Sequence, residues 1–113
     1  MNVILEIPTV SEANRASHEH WRVRQKRAKA QREAFRLLWK KHGKPVTLPA
    51  IVTFTRFSVR ELDSDNLPTA FKHIRDQLAA EIGIDDRDKR VEWRYQQEKG
   101  QAGRFRLVIE EKQ

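Results

Sequence analysis

The chain has 113 residues, with 23 Lys and Arg against 16 Asp and Glu, a formal net charge of +7 and no cysteine. This length suits one domain with a single modest core, and the lack of cysteine excludes a disulfide framework and a cysteine-bound zinc site. The N-terminal stretch MNVILEIP is apolar over too few residues for a signal peptide or a membrane span, which predicts a cytoplasmic protein.

The N-terminal half of the chain predicts a strand, a long helix and a second strand. Val3, Leu5 and Ile7 alternate with Asn2, Ile4 and Glu6, as in a short strand, and Pro8 ends it. In residues 21–42 the apolar residues recur at helical spacing, and the glycine and proline that follow stop the helix. Residues 50–59 are rich in β-branched and aromatic side chains and therefore predict a strand.

The C-terminal half predicts a second helix and two more strands. The clearest periodic pattern in the chain runs to a helix-ending Gly83 and consists of Leu67, Phe71, Ile74, Leu78 and Ile82. Residues 91–96 and 104–110 alternate again and predict an antiparallel hairpin. The order β-α-β-α-β-β predicts a small α/β sandwich over residues 1–113, with a mixed sheet covered by two helices.

The charges are unevenly distributed along the chain. Residues 15–44 hold eleven basic and two acidic residues, whereas residues 61–88 hold eight acidic and three basic ones. A concentrated basic helix favours binding to nucleic acid, and a merely solvated helix face is the alternative. The candidate DNA-binding residues are Arg22, Arg24, Lys26, Arg27, Lys29 and Arg32.

The first acidic pair lies where a strand gives way to a helix. Asp63 and Asp65 are one residue apart, so in extended backbone their carboxylates point the same way at about 6 to 7 Å. Carboxylates at this separation repel each other unless a cation or water lies between them, and oxygen ligands favour Mg²⁺ or Mn²⁺ over zinc. Capping of the next helix by Asp65 and Asn66 is the structural alternative, and it leaves Asp63 unexplained.

A second acidic cluster, Asp85, Asp86 and Asp88, follows the predicted helix and is typical of a polar turn. On that helix the positions 65, 69, 72 and 76 share one face. Lys72 is therefore predicted to point to the side of Asp65, about 10 Å along the axis, where its ammonium group could reach a phosphate. A weak ion pair with Asp76 is the alternative for this lysine.

Together these residues resemble the RusA family of Holliday junction resolvases, which are endodeoxyribonucleases of phages and prophages. The matching residues, in order, are Asp63-x-Asp65-Asn66-Leu67, then Lys72, then Asp76-Gln77-Leu78, then Asp85-Asp86. The resemblance implies a Mg²⁺-dependent homodimer, with Mn²⁺ as a substitute ion, that makes paired nicks in a four-way DNA junction during recombination and repair.

The resemblance also implies the roles of individual residues. Asp63, Asp65 and Asp86 match the metal ligands of the family, and Asp85 either shares or replaces the role of Asp86. The family places its catalytic lysine four residues after the second aspartate of the D-x-D motif, where this chain has Thr69, so Lys72 is taken as the substitute.

Two other functions remain open from the sequence. One is a catalytically silent nucleic-acid-binding module in which the aspartates only cap helices and shape turns. The other is a metal-dependent nuclease with a different substrate, such as a flap, a single strand or RNA. The large aromatic residues are predicted to be core rather than base-stacking groups, namely Trp21, Phe35, Trp39 and Phe71. Trp93 and Tyr95 are predicted to pack or to form a dimer interface.

Overall fold

The computed structural model describes residues 1–9, 21–60 and 66–113. These residues form one compact unit with a mixed four-stranded sheet and three helices, which confirms the predicted α/β class. In chain order the elements are β1 (Asn2–Leu5), α1 (Trp21–His42), β2 (Ala50–Ser58), α2 (Asn66–Ala70), α3 (Lys72–Glu81), β3 (Val91–Lys99) and β4 (Phe105–Glu111). Within the described residues, no helix has the length and apolar character needed to cross a bilayer.

The strand order of the sheet is β1-β4-β2-β3. β2 pairs in parallel with β3 and antiparallel with β4, and β4 pairs antiparallel with β1. The predicted hairpin between the third and fourth strands is therefore wrong, because β2 lies between them. β2 is the most deeply buried strand, and an inner position in the sheet satisfies its backbone groups on both sides.

The connection between β3 and β4 passes the end of β2 rather than making a tight turn. Gly100 N–H donates to the carbonyl of Ser58, the last residue of β2, at 3.3 Å. A Cβ atom on Gly100 would lie 3.2 Å from the ring of Phe57, and Gly103 has a φ of +91°. Gly100 allows the close approach to β2, and Gly103 supplies the positive φ of the connection, so the glycine content that suggested a hairpin has a different structural cause.

The core lies between one face of the sheet and the helices. Phe54 of β2 stacks on Phe71 with ring centroids 4.9 Å apart, and Phe105 of β4 contacts Phe71 edge-on at 5.4 Å. Phe35 of α1 is fully buried in the same cluster. The core prediction is confirmed for Phe35 and Phe71 but wrong for Trp21, which is 54% exposed at the start of α1.

The predicted second helix is divided at Phe71 into α2 and α3. The Phe71 N–H bonds to the carbonyl of Pro68 at 3.2 Å, three residues back, and this tightens the turn. Proline also has no N–H to contribute to the helix. The apolar face continues across the break, since Leu67, Ile74 and Leu78 are all buried. Of the predicted helix face, Thr69 therefore lies on α2 whereas Lys72 and Asp76 lie on α3, and position 65 lies outside the described residues.

Candidate functional site

The end of α3 directs the chain back alongside the helix. Gly83 has a φ of +75°, and its N–H bonds to the carbonyl of Ala80 at 3.2 Å. The next residue, Ile84, bonds to Ala79 at 2.9 Å, which completes a Schellman turn. Ile84 packs against the core, so the two aspartates that follow are held beside α3.

Arginine, lysine and aspartate side chains meet in one open depression, which we call the acidic depression. It has a volume of about 380 Å³. α1, α3 and the loop after α3 all contribute to it, and its lining residues are Arg32, Lys72, Asp76, Ala79, Ala80, Ile84, Asp85 and Asp86. The structure thus brings together the predicted residues Lys72, Asp85 and Asp86 and the predicted DNA-binding residue Arg32 of the basic helix.

Arg75 fixes the position of the aspartate loop. Its Nη2 donates to the backbone carbonyl of Asp86 at 3.0 Å, and its Nη1 donates to the hydroxyl of Tyr95 at 2.8 Å. The guanidinium also lies over the ring of Trp93, 4.8 Å from the centroid. Arg75 therefore ties the loop to α3 and β3 through the backbone of Asp86 and leaves the Asp86 carboxylate to the acidic depression.

The carboxyl groups of Asp85 and Asp86 are adjacent. The Arg87 N–H donates to Oδ1 of Asp85 at 2.8 Å, and this bond lowers the pKa of Asp85 below its ordinary value. A side-chain hydrogen bond with Asp86 lowers the Asp85 pKa further. Two carboxyl groups this close favour either a shared proton or a cation between them.

Asp88 is engaged in a different way. Its two carboxylate oxygens accept hydrogen bonds from the Arg90 guanidinium at 3.1 and 2.7 Å, and Oδ1 also accepts from the Arg90 backbone N–H at 2.9 Å. These bonds lower the pKa of Asp88 to about 2. The predicted polar turn therefore describes Asp88 fully, and its carboxylate is committed to that turn.

Two of the predicted metal ligands, Asp63 and Asp65, lie in residues 61–65, outside the described part of the chain. Their predicted proximity to Lys72 and Asp86 stays a prediction. In the ranges 1–9, 21–60 and 66–113, no group of three His, Cys, Asp or Glu side chains is arranged to hold a metal ion. Asp85 and Asp86 offer the oxygen ligands that Mg²⁺ prefers, and a complete site needs at least one further ligand from residues 61–65 or from water.

Lys72 lies at the rim of the acidic depression together with Asp76. This confirms that both point to the same side of α3. The ion pair that was the alternative for Lys72 is not formed, because no salt bridge joins Lys72 to Asp76 in the described part of the chain. Lys72 is thus exposed in a depression that Asp76, Asp85 and Asp86 also line, where its ammonium group can contact a bound anion.

The basic residues of α1 adjoin the acidic depression. Arg32 lines it, and the Arg32 Nε donates to the side-chain oxygen of Gln77 on α3 at 3.2 Å. A second depression, of about 380 Å³, continues along the α1–α3 boundary past Arg32 and Lys29. Of the other predicted DNA-binding residues, Arg24 lines a third depression between α1 and α3, Arg27 is half-buried, and Arg22 and Lys26 are exposed.

Sequence reasoning missed Arg75 and gave Asp76 no role beyond an ion pair. Arg75 carries no motif, because its three contacts depend on Tyr95, Trp93 and the loop carbonyl being close after folding. A basic residue on the helix before the Asp85-Asp86 pair was visible in the sequence, but nothing distinguished it from a solvated charge.

Comparison with known proteins identified no relative of this chain by family model or among curated proteins. A functional assignment therefore depends on the geometry of the acidic depression and on the motif that the sequence carries.

Proposed function

We propose that this chain is a divalent-metal-dependent endodeoxyribonuclease that cuts four-way DNA junctions as a homodimer in the cytoplasm. One observation carries the proposal: Arg32, Lys72 and the Asp85-Asp86 pair come from three separate elements and line the same open depression. Acidic groups that can hold a cation and basic groups that can hold a phosphate are the two requirements of phosphodiester hydrolysis by this route.

The basic residues would bind and orient the phosphate. Lys72 and Arg32 present cationic groups at the rim of the acidic depression, where they offset the repulsion between the acids and a phosphodiester. Charge-assisted hydrogen bonds from such groups stabilise the negative charge that grows on the phosphate oxygens during hydrolysis. No side-chain nucleophile is needed in this scheme, because water is the attacking group.

The acidic residues would hold the metal ion. Asp86 and Asp85 fit this role because both are oxygen donors, both lie at the depression and each is adjacent to the other. The sequence motif predicts that Asp63 and Asp65 complete the ligand set. A Mg²⁺ ion held by these residues would supply an activated water and a polarised phosphate.

The basic helix α1 would bind the DNA backbone on either side of the cut. Its exposed Arg and Lys residues extend from the acidic depression along the α1–α3 boundary, so one strand can contact both. Contacts of this kind are salt-sensitive, since each neutralised phosphate releases condensed counterions. A four-way junction has near two-fold symmetry, and paired nicks need two sites, which is the reason for proposing a C2 dimer.

Cleavage of a labelled four-way junction tests the proposal. The wild-type chain should nick opposed strands with Mg²⁺ and not with EDTA. Asp63→Asn should abolish nicking while leaving junction affinity unchanged or improved, because it removes a charge that repels DNA. Unchanged cleavage by Asp63→Asn would refute the enzymatic proposal.

A non-catalytic nucleic-acid-binding module is the second candidate. It needs only the exposed basic residues of α1, such as Lys26 and Lys29, and no metal site. This candidate predicts junction binding without nicking under any metal condition. Forked, duplex, single-stranded and RNA substrates in the same buffer test the remaining alternative, and equal cutting of all of them would refute junction selectivity.

A further inference from the structure

An exposed tryptophan lies beside the candidate site, in a depression that the proposed chemistry does not use. This third depression, which we call the tryptophan depression, has a volume of about 290 Å³. Its lining residues are Trp21, Arg24, Gln25 and Ala28 of α1 with Lys72 and His73 of α3. The α1 residues are spaced by three, four and seven positions and so form one helix face.

The tryptophan depression and the acidic depression share a wall. Lys72 lines both of them, so a phosphate held by Lys72 would place its own nucleotide, or the adjacent one, over the tryptophan depression. The volume is at the small end of ligand clefts, about 300 to 1,000 Å³, and suits a single flat ring rather than a folded ligand. Most of the wall is carbon, from Trp21, Ala28 and the side-chain stems.

The charge around the tryptophan depression favours a polyanion. Arg24 and Lys72 line it, and the guanidinium of Arg22 lies 5.4 Å from the centre of the Trp21 ring. An aromatic ring flanked by arginine and lysine is the usual arrangement for binding single-stranded nucleic acid, because the ring stacks on a base while the cations hold the phosphates. Among the described residues, Trp21 is the exposed aromatic side chain at such a place.

We infer that the tryptophan depression is a nucleobase-stacking subsite, which holds an unpaired base of the strand whose phosphate lies at Lys72. The inference rests on the proposed function for the position of the phosphate at Lys72, whereas the stacking of a base on Trp21 does not depend on it. It predicts that the site prefers DNA with an unstacked base, as at a branch point, over a continuous duplex.

Binding in EDTA tests the inference without any cleavage. The probes are a short oligothymidylate and an abasic oligomer with the same number of phosphates. Trp21→Ala should weaken binding of the oligothymidylate by about 5- to 100-fold and leave the abasic oligomer unaffected, since only the former can stack. Trp21→Phe should lie between wild type and Trp21→Ala, because it keeps a smaller ring.

Two further variants control for exposure and charge. Leu37 is also 54% exposed on α1, so Leu37→Ala removes a comparably exposed apolar group away from the depression and should change neither affinity. Lys29→Gln removes a phosphate contact and should weaken both probes equally. Circular dichroism of each variant checks that α1 is intact.

The outcomes separate this inference from the proposed function. If Trp21→Ala weakens both probes equally, or neither, Trp21 does not stack on a base and the inference is overturned while the nuclease proposal stands. If the wild-type chain binds neither probe nor a four-way junction, both fall. Base-dependent loss of binding in a chain that never cleaves would support the subsite and refute the nuclease.

Discussion

The loop between α3 and β3 uses its aspartates in two different ways. Asp88 is bound by Arg90 through both carboxylate oxygens, so its charge serves the turn. Asp86 is held by Arg75 through its backbone carbonyl and lines the acidic depression, and its carboxylate forms no salt bridge among the described residues. Two aspartates separated by one residue thus differ in which group is bound by arginine: the backbone carbonyl of Asp86 and the side-chain carboxylate of Asp88.

This difference shows how a loop can keep a charged group available for function. Arginine already neutralises the charge of a carboxylate that is paired with it, so neither a metal ion nor a proton is required to do so. A carboxylate beside another, as Asp86 is beside Asp85, is repelled by its neighbour, and a cation or a proton between them relieves that repulsion. The position of the loop is fixed by Arg75, a residue that leaves both carboxylates untouched.

The largest expected effect is a difference in junction cleavage between variants of Asp86 and Asp88. We expect Asp86→Asn to reduce Mg²⁺-dependent junction cleavage by about 100-fold or more, because replacing even an outer-shell partner of a metal costs 10- to 100-fold. Asp88→Asn, which loses only the Arg90 contacts, should keep cleavage within a few-fold of wild type. Single-turnover assays measure both. Equal losses in the two variants would remove the distinction between them.

A smaller effect should follow from loosening the loop at Arg75. Arg75→Gln loses the bonds to Asp86 and Tyr95, and we expect it to raise the Mg²⁺ concentration at half-maximal cleavage by about 10-fold, the lower end for outer-shell residues. Excess Mg²⁺ should restore the rate, since no catalytic group is removed.

Tyr95→Phe is the matched variant for Arg75, because it removes one hydrogen bond and keeps the contact with the loop. It should shift the Mg²⁺ requirement less than Arg75→Gln does. A rate loss in Arg75→Gln that Mg²⁺ does not restore would indicate general destabilisation instead. Thermal unfolding of both variants measures that contribution separately.

The smallest effect concerns the titration of Asp88. Its pKa is lowered from the ordinary 3.8 to about 2, so the Arg90 interaction stabilises the fold above pH 3.8 and is lost as the pH falls through about 2. In Arg90→Gln, the Asp88 pKa should rise from about 2 toward 3.8 but stay below it, because the backbone N–H of residue 90 still donates to Oδ1; carbon NMR follows the titration. Arg87→Gln, which leaves the Arg90 contacts in place, should leave the Asp88 pKa near 2.

Part of the fold could be predicted because burial has a regular period. The spacing of Phe71, Ile74 and Leu78 reports one helix face directly, and these residues are indeed buried. Strand alternation identified β3 and β4 but not β2 as the strand between them. Alternation shows which side chains share a face of the sheet, and it does not show which strands are hydrogen-bonded to each other. Trp21 follows the same helical spacing as Phe35 but is exposed. Periodicity identifies the inner face of α1, but it does not tell which part of that face is covered by the rest of the protein.

The candidate site was partly predictable for a similar reason. Lys72 was singled out from helix geometry and the Asp85-Asp86 pair from the family resemblance, and they do line one depression. Arg32 was predicted to bind DNA but not to lie beside the aspartates, and Arg75 was not assigned to the site. Their positions arise from contacts with residues far along the chain: Arg32 with Gln77, 45 residues away, and Arg75 with Tyr95, 20 residues away. Only the folded chain brings such groups together.

The position of a bound Mn²⁺ ion tests the central claim most directly. Crystals soaked in Mn²⁺ should show anomalous density within bonding distance of the Asp86 carboxylate, shared with Asp63 and Asp65, and none at Asp88. Density at Asp88, or an Asp86 carboxylate without metal when the other two aspartates bind one, would contradict the account.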